Sequence, residues 1–403
     1  PWQLGPTEWQ DAKNVIFAQG AVQRVRGWAT LGTARSAQVF SGHGYADPNS
    51  LRKGYVIVTN VRVYKITALT GSPFDADWAD LSGADMTALS APLPGERDPE
   101  VGFDMFRNKL VIAPGPNAIR TWDGVAGTLT NLGGTPRQAR DFVFYGERGI
   151  LGRIRTGSPA SLSTIRASGQ GDLDTWTLGA MELEYLPGQT VKLARVGRHV
   201  LAFKPHGIVR LTTTPSAVTP FAQDAVDDGI GLSGVHALGV YQNRAYWVGQ
   251  ESIYALEGSK LSDIGQPVRS SFPAAGVTGN VRSVAIFTYR NPDLDEVLFS
   301  TGSATGNNIY AYAPHWGTWS RRDMGGPLTF GAVGYDAIPS VGHDTLMDTR
   351  TFFSSNVIST GQVYRLSDDY TYAASFPTTS LASYGWRDFG TKLRKRLLAY
   401  IPE

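Results

Sequence analysis

The stretch that decides the fold is residues 191–211, VKLARVGRHVLAFKPHGIVRL. Residues 191–196 and 200–203 are rich in apolar and β-branched side chains, and the polar pair Gly197-Arg198 lies between them. Two such runs on either side of a two-residue polar tip predict a β-hairpin. A third apolar run, residues 208–211, follows a second short turn. The stretch therefore predicts three consecutive antiparallel strands.

The same pattern recurs along the chain. Its constant part is an apolar run, a turn, and a second run that begins with Ile or Val, and the copies are spaced by roughly 45–56 residues. A looser copy occupies residues 142–165. The other copies are residues 55–64, 110–122, 200–211, 245–256, 297–312 and 351–366.

Several copies have an earlier apolar run, at residues 191–196, 235–241 and 283–289, so each unit predicts a meander of three or four strands. The spacing lies in the range of propeller blades, and a radial arrangement covers both faces of every blade. A parallel β-helix has much shorter repeats, and a sandwich does not repeat the same strand chemistry this often. The sequence thus predicts an all-β fold, a β-propeller of six or seven blades.

The two ends of the chain differ from the repeat. Residues 14–28 predict a separate hairpin, and residues 391–401 predict a basic strand that runs into an apolar one. We therefore expect an N-terminal segment over 1–34, a propeller over 35–370 and a C-terminal segment over 371–403, with a small extra β element built from the two ends. The terminal strands are suited to closing the propeller, to pairing with each other or to forming an attachment platform, and the sequence leaves these alternatives open.

Composition excludes several classes of protein. The 403 residues include no Cys, so a disulfide framework, a thiolate metal site and a thiol nucleophile are ruled out. No apolar run approaches the ~18 residues of a membrane-spanning helix, and Pro1–Pro6 lacks the pattern of a signal peptide. The 37 basic and 35 acidic residues leave a net charge of +2, which argues against tight binding of nucleic acid through a large basic face.

Metal chemistry has no local signature. Carboxylates cluster at 75–80 and at 224–228, but the first lacks the Gly and the terminal Glu of a calcium loop, and we expect solvated loops. The histidines show none of the spacings of a metal site, so we expect structural roles, with convergence from different blades left open. The six are His43, His199, His206, His236, His315 and His343.

Catalytic motifs are weak as well. Residues 168–176, SGQGDLDTW, resemble the S-x-D-x-G-x-T-W box of sialidase-like propellers, but the Asp follows the Gly and the box occurs once. The chain has neither a G-x-S-x-G elbow nor a G-x-x-x-x-G-K-[ST] phosphate loop. We therefore expect a protein that is not an enzyme and needs no cofactor or metal, and we keep a propeller glycoside hydrolase as a minor alternative.

A series of short segments, taken in their order along the chain, carries a family resemblance. Residues 14–28 follow a pattern like NVxFxxGxVxRxxG, and residues 165–176 form a strand and turn that end in Trp. Residues 228–233 contain the turn DGIGLS, and residues 245–258, AYWVGQESIYALEG, have Ser252 where a Gly is usual. Residues 310–322 end the series with YAYAPHWGTWSRR.

These segments resemble the tail nozzle family of short-tailed bacteriophages, also called tail tubular protein B or tail hub. The resemblance covers residues ~10–390 and implies a virion structural protein, assembled in the cytoplasm of the host bacterium. It implies a homohexameric ring that continues the channel of the portal and adaptor, conducts double-stranded DNA without sequence recognition and mounts fibres or a tip. A near-zero net charge agrees with a conduit, because each neutralised phosphate adds affinity for DNA.

Cationic residues outside the blade repeat are our candidates for contacts with neighbouring subunits or the adaptor ring. Alternation along a strand places Lys392, Arg394 and Arg396 on one face. The alternative function is a receptor- or glycan-binding propeller, an adhesin with aromatic pockets. The candidate assembly contacts are Arg24, Arg26, Lys392, Arg394, Lys395 and Arg396.

Overall fold

The structure is a computed structural model of the 403-residue chain. It describes residues 101–272 apart from short gaps at 126, 135, 137, 156–161, 177–179, 217–218 and 270–271. Outside that span it describes residues 9–13, 15–18, 21–24, 28–35, 39–46, 53–66, 78–84, 86, 89, 285–291, 294–300, 309–322, 328–335, 349–355, 361–366, 371–372, 376–377 and 381–384.

The regular secondary structure of the described chain is β-strand, with one short 3₁₀ turn. Four strands come first: β1 (Trp9–Lys13), β2 (Val15–Ala18), β3 (Ala21–Arg24) and β4 (Trp28–Arg35). The first two blades are β5 (Val39–Ala46), β6 (Lys53–Thr59), β7 (Val63–Ile66), β8 (Trp78–Asp80), and β9 (Gly102–Phe106), β10 (Lys109–Ala113), β11 (Arg120–Trp122), β12 (Thr130–Asn131). The third and fourth are β13 (Ala139–Tyr145), β14 (Arg148–Ile154), β15 (Thr164–Ala167), β16 (Ala180–Glu182), and β17 (Lys192–Val196), β18 (His199–Lys204), β19 (Gly207–Thr213), β20 (Phe221–Asp227).

The fifth blade is β21 (Leu238–Tyr241), β22 (Arg244–Val248), β23 (Ile253–Glu257) and β24 (Lys260–Asp263), followed by a 3₁₀ turn at Gln266–Val268. The sixth contains β25 (Ala285–Asn291), β26 (Leu294–Ser300), β27 (Ile309–Ala313) and β28 (Thr318–Arg322). The seventh contains β29 (Leu328–Tyr335), β30 (Thr349–Ser355) and β31 (Gly361–Leu366). The last strands are β32 (Thr371–Tyr372), β33 (Phe376–Pro377) and β34 (Leu381–Tyr384).

In the described part of the chain, these strands form seven sheets of four or more strands, which follow one another around a ring. The first strand of each sheet contacts the first strand of the next, and β29 contacts β5, so the ring is closed. The prediction of an all-β propeller is confirmed, and the described strands make seven blades. No helix in the described part is long and apolar enough to cross a membrane.

The ring is closed by strands from both ends of the chain. The N-terminal strand β4 pairs antiparallel with β31 and becomes the fourth strand of the seventh blade. At the sixth blade, β1 pairs in parallel with β28, and β34 pairs antiparallel with β1. The predicted extra β element from the two ends is therefore present: β4 closes the propeller, and β1 and β34 pair with each other. The basic strand predicted at 391–401 lies outside the described residues, so its role stays a prediction. The predicted segment boundaries stay predictions, although β4 begins inside the 1–34 segment.

The chain forms β-hairpins at positions where the sequence predicts them. β2 pairs with β3, which confirms the hairpin expected within residues 14–28. The tip between β21 and β22 has Gln242 and Asn243 at positive φ, 48° and 61°, and the tip between β17 and β18 has Gly197 at φ 58°. Positive φ at the tip gives the turn a twist that matches the strands.

The hydrophobic core lies in the seams between blades. One cluster joins the fourth, fifth and sixth blades and includes Phe203, Trp247 and Phe299. Further clusters fill the seams between the first and second, second and third, and third and fourth blades. A single blade exposes two apolar faces, so this packing makes each blade depend on both neighbours.

Candidate binding cavity on the propeller axis

A cavity of about 380 Å³ lies where the first strands of five neighbouring blades, β5, β9, β13, β17 and β21, converge on the propeller axis. Its size falls within the range of about 300–1,000 Å³ that is usual for small-molecule sites. Apolar side chains such as Phe103 and Val143 contribute part of the wall. Its charged or titratable lining residues are His43, Asp104, Asp141, Lys192, Arg195 and His236.

The strands around the cavity approach each other very closely. A Cβ atom built on Gly102 of β9 would lie 2.4 Å from the carbonyl oxygen of Arg140 on β13. Only glycine permits this approach of two backbones. The close approach packs β9 directly against β13 in the wall of the cavity.

His43 and Asp104 form the polar wall between the first two blades. The Nδ1 atom of His43 lies 2.5 Å from the carbonyl oxygen of Gly44, and its ring stacks on Phe103 with 5.9 Å between centroids. Burial lowers the pKa of His43, and the nearby Asp104 carboxylate opposes this effect. The imidazole is therefore held in its neutral form at neutral pH.

Asp104 is a hydrogen-bond acceptor for the backbone. Its Oδ1 accepts the N–H of Met105 at 2.8 Å, and its Oδ2 accepts the N–H of Phe144 in the next blade at 2.6 Å. Burial raises the pKa of Asp104, while these hydrogen bonds, His43 and Arg195 lower it. The carboxyl group thus ties the second blade to the third.

Asp141 is the second carboxylate in the wall, and its charge is neutralised by a buried arginine that does not line the cavity. Its Oδ2 lies 3.1 Å from Nε of Arg153, and both side chains are almost completely buried. The same oxygen accepts the backbone N–H of Leu193 at 3.3 Å. Two carboxylates are therefore committed to the scaffold, one to backbone N–H groups and one to an ion pair.

The cations of the wall are on β17. Arg195 is exposed, and Lys192 is half-buried three residues before it. Arg153 is the ion-pair partner of Asp141, and Asp104 accepts two backbone N–H groups, so both carboxylates of the wall are engaged by the scaffold. Arg195 is the exposed cation beside them, and an arginine fork is suited to oxyanions.

Acidification should destabilise the protein partly through His43. The unfolded chain takes up a proton at His43 near its ordinary pKa of about 6.5, and the folded chain does so only at lower pH, so stability falls as the pH drops below that value. In His43→Gln this loss should be smaller. His43→Gln also removes the positive charge that a protonated His43 would place beside Asp104, so the pKa of Asp104 rises further. A higher pKa of Asp104 in the folded chain adds stability at low pH, which again makes the loss on acidification smaller.

The measurement is the urea midpoint at about pH 7.5 and about pH 5.5. His206→Gln is the matched control, because His206 lies on an exposed turn. The other charged or titratable groups that share the cavity with His43 are unchanged in both variants: Asp104, Asp141, Lys192, Arg195 and His236. Equal loss of stability in the wild type and in His43→Gln would contradict the assignment.

The structure brings together two of the histidines, His43 and His236, in one cavity. Of the others, His199 is half-buried, His315 packs edge-on against Trp316 and His206 lies near Gln250. His343 lies outside the described residues. Among the residues that the structure describes, no group of three or more His, Asp or Glu side chains is arranged to hold a metal ion.

The expectation that the carboxylate clusters form solvated loops is wrong for two of their members. Asp80 ends β8 and pairs with Arg62, and Asp224 lies within β20 directly opposite its ion-pair partner Arg210. Opposite charges on facing strand positions stabilise a sheet, which is why Asp224 tolerates its strand position. Asp227 instead shapes a turn, because its Oδ1 accepts the N–H groups of Gly229 and Ile230. Asp75 and Asp77 lie outside the described residues.

The sialidase-like segment 168–176 is a structural turn. Asp172 accepts the N–H of Asp174 at 2.7 Å and the hydroxyl of Thr175 at 2.5 Å, which lowers the pKa of Asp172. Trp176 is 2% exposed and packs in the seam between the second and third blades. The segment positions a core tryptophan by means of a capped turn.

The candidate assembly residues are only partly within the described chain. Arg24 is the last residue of β3, opposite Val15. Arg26, Lys392, Arg394, Lys395 and Arg396 lie outside the described residues. The axial residues were not predicted as a site, since their strands are spread from residue 39 to residue 241.

No protein-family profile and no curated protein matches the chain. Among solved structures, the chain resembles the extracellular domain of the hybrid two-component system BT4673 from B. thetaiotaomicron, with a TM-score of 0.50 and 9% identity. The match covers 84% of this chain and 39% of that domain, so the chain spans about two fifths of its length.

A second structure of similar shape is the β-propeller domain of Cps50 (Swd1) from Myceliophteria thermophila. It has a TM-score of 0.50 and 8% identity, over 84% of this chain and 98% of that domain. At this level of identity the likeness concerns the backbone alone, and neither structure is described as a tail protein. What the comparisons establish is that this chain has the fold of a β-propeller.

Proposed function

We propose that the chain is a virion structural protein, a tail nozzle subunit of a short-tailed phage that works as a ring of six copies. The observation that carries the proposal is the β element outside the blades. β4 alone completes the propeller, yet β1 and β34 from opposite ends of the chain pair on the outer edge of the sixth blade. Because β1 and β34 are not needed to close the ring of blades, the surface that they form at the edge of the sixth blade is suited to assembly.

The small volume of the axial cavity agrees with the same proposal. Inner strands approach within backbone contact at Gly102, and the cavity on the axis has a volume suited to a small molecule. A DNA duplex is far wider than such a cavity, so DNA would pass through the ring formed by the subunits rather than through one propeller. A closed ring of identical copies uses heterologous contacts, which need broad side surfaces.

Replacing Lys392, Arg394 and Arg396 together by Ala tests the proposal. The side chains come from a segment outside the blade repeat, so we expect a folded subunit that fails to join tails. The measurement is complementation of a phage that lacks this chain, with electron microscopy of the particles and thermal unfolding of the purified subunit.

A control variant removes three cations elsewhere: Arg210→Ala, Arg244→Ala and Arg269→Ala. Each is in an exposed or partly exposed ion pair, with Asp224, Glu257 and Glu251 respectively, and such pairs contribute about 0–1 kcal/mol. This control should still assemble. Six-fold rings on tails made with the first variant would overturn the assigned contacts, and particles whose tails lack this chain altogether would overturn the nozzle.

A receptor- or glycan-binding propeller is the second candidate, and exposed aromatic side chains favour it. Trp316, in the hairpin between β27 and β28, is 43% exposed, and Tyr185 is 59% exposed. Exposed aromatic rings are suited to stacking on sugars or on a partner protein. Binding of the isolated subunit to host polysaccharide, together with its absence from tails, would replace the nozzle by this function.

A further inference from the structure

The axial cavity has the features of a ligand site, independently of any role in a tail. It is formed by five first strands and is held open by backbone geometry rather than by mobile loops. Its rim residue Arg195 is exposed on β17, whose neighbours Leu193 and Ala194 are buried in two different seams.

Both carboxylates of the wall are engaged by the scaffold, and Arg195 is the exposed cation of the lining. Asp104 accepts two backbone N–H groups, and Asp141 is paired with Arg153. Arg195 lies within electrostatic reach of Asp104 and is the exposed cation of the lining. Lys192 adds a second positive charge on the same strand.

We propose that this cavity binds a small organic oxyanion, a molecule that carries a carboxylate or a phosphate group. The Arg195 guanidinium binds the oxyanion through two parallel N–H donors, and Lys192 adds charge. The stacked pair of His43 and Phe103 provides a flat surface beside it. The volume of about 380 Å³ admits a ligand of monosaccharide size.

Calorimetric titration of the full chain tests the proposal with three probes: glucuronate, inorganic phosphate and glucose. We expect at least one of the two anions to bind at low salt and glucose to bind at least tenfold more weakly. Glucuronate alone assigns a carboxylate ligand, and phosphate alone assigns a phosphate ligand. If neither anion binds at millimolar concentration, or if glucose binds as well as glucuronate, the proposal is wrong.

Arg195→Gln should weaken binding of the anion by about tenfold or more, since charged hydrogen bonds contribute about 1.5–3 kcal/mol. Arg198→Gln is the matched control, because Arg198 is an exposed residue at the tip of the same hairpin and does not line the cavity. Arg195→Lys keeps the charge but loses the two-donor geometry, so its affinity should lie between those of the wild type and Arg195→Gln.

The purified chain with either substitution should unfold at the wild-type temperature, because both side chains are exposed. Equal affinities of Arg195→Gln and Arg198→Gln would overturn the assignment. The titration uses isolated subunits, so a negative result here leaves the assembly proposal intact, and a failure to assemble leaves this one intact.

Discussion

Arg322→Ala should cost about 3–5 kcal/mol of unfolding free energy, because it leaves a buried carboxylate without its cation. Arg322 on β28 and Glu296 on β26 form an ion pair in the sixth blade, and each side chain is 2% exposed. Nη1 of Arg322 also donates a hydrogen bond to Ser320 at 2.7 Å. The substitution removes both interactions at once.

Chemical denaturation of the isolated subunit measures this loss. The double variant Glu296→Leu with Arg322→Leu should recover most of it, since apolar residues often replace a buried pair without loss of stability. Arg244→Ala, which breaks an exposed pair with Glu257, should cost less than about 1 kcal/mol. A cost for Arg322→Ala as small as that of Arg244→Ala would show that the pair contributes nothing specific.

Arg322→Ala should also destabilise the pairing of β1 with β28 at the edge of the sixth blade. Lys13 of β1 lies opposite Arg321, the neighbour of Arg322 on β28. A destabilised β28 is a poorer template for β1, so hydrogen exchange of the β1 amides should accelerate more than that of β18 amides in the fourth blade.

Trp247→Ala should also cost about 3–5 kcal/mol, because it empties the seam between the fourth and fifth blades. Trp247 is 0% exposed. Its ring lies 5.5 Å from that of Phe203 in the neighbouring blade and 5.8 Å from that of Tyr254 in its own. The loss therefore weakens the contact between two blades as well as one blade itself.

Trp247→Phe is the informative control. The indole Nε1 of Trp247 is buried and finds no hydrogen-bond partner among the described residues. Phe removes this donor, whose burial costs about 1–3 kcal/mol, while it keeps most of the aromatic contact. We expect Phe to cost less than half as much as Ala in the same denaturation experiment, and equal costs would show that packing around the ring is loose.

The repeat could be read from sequence because each blade encodes it locally. Alternating apolar residues around the pairs Gly197-Arg198 and Gln242-Asn243 predict hairpins wherever they occur in the chain, and the structure has hairpins at both. The looser copy over residues 142–165 corresponds to three consecutive strands, β13, β14 and β15, which pair antiparallel in that order.

The cavity could not be read in the same way. Each of its charged residues, for example His43 or Arg195, has an ordinary local sequence, and their convergence depends on the order of blades around the closed ring. The roles of the termini were open for a related reason. Pairing of β1 with β34 joins residues at opposite ends of the chain, and a periodic pattern carries no information about such distant partners.

The closing of the seventh blade by β4 has a consequence for biosynthesis. β29, β30 and β31 are synthesised after the strands of the other six blades, whereas their partner β4 is synthesised before them. The middle blades can form hairpins as they leave the ribosome, but β4 lacks its partner strand β31 until residues 361–366 have been synthesised. A product that stops before β30 therefore presents an open strand edge, a target for quality control, while only chains translated through β31 can complete a ring.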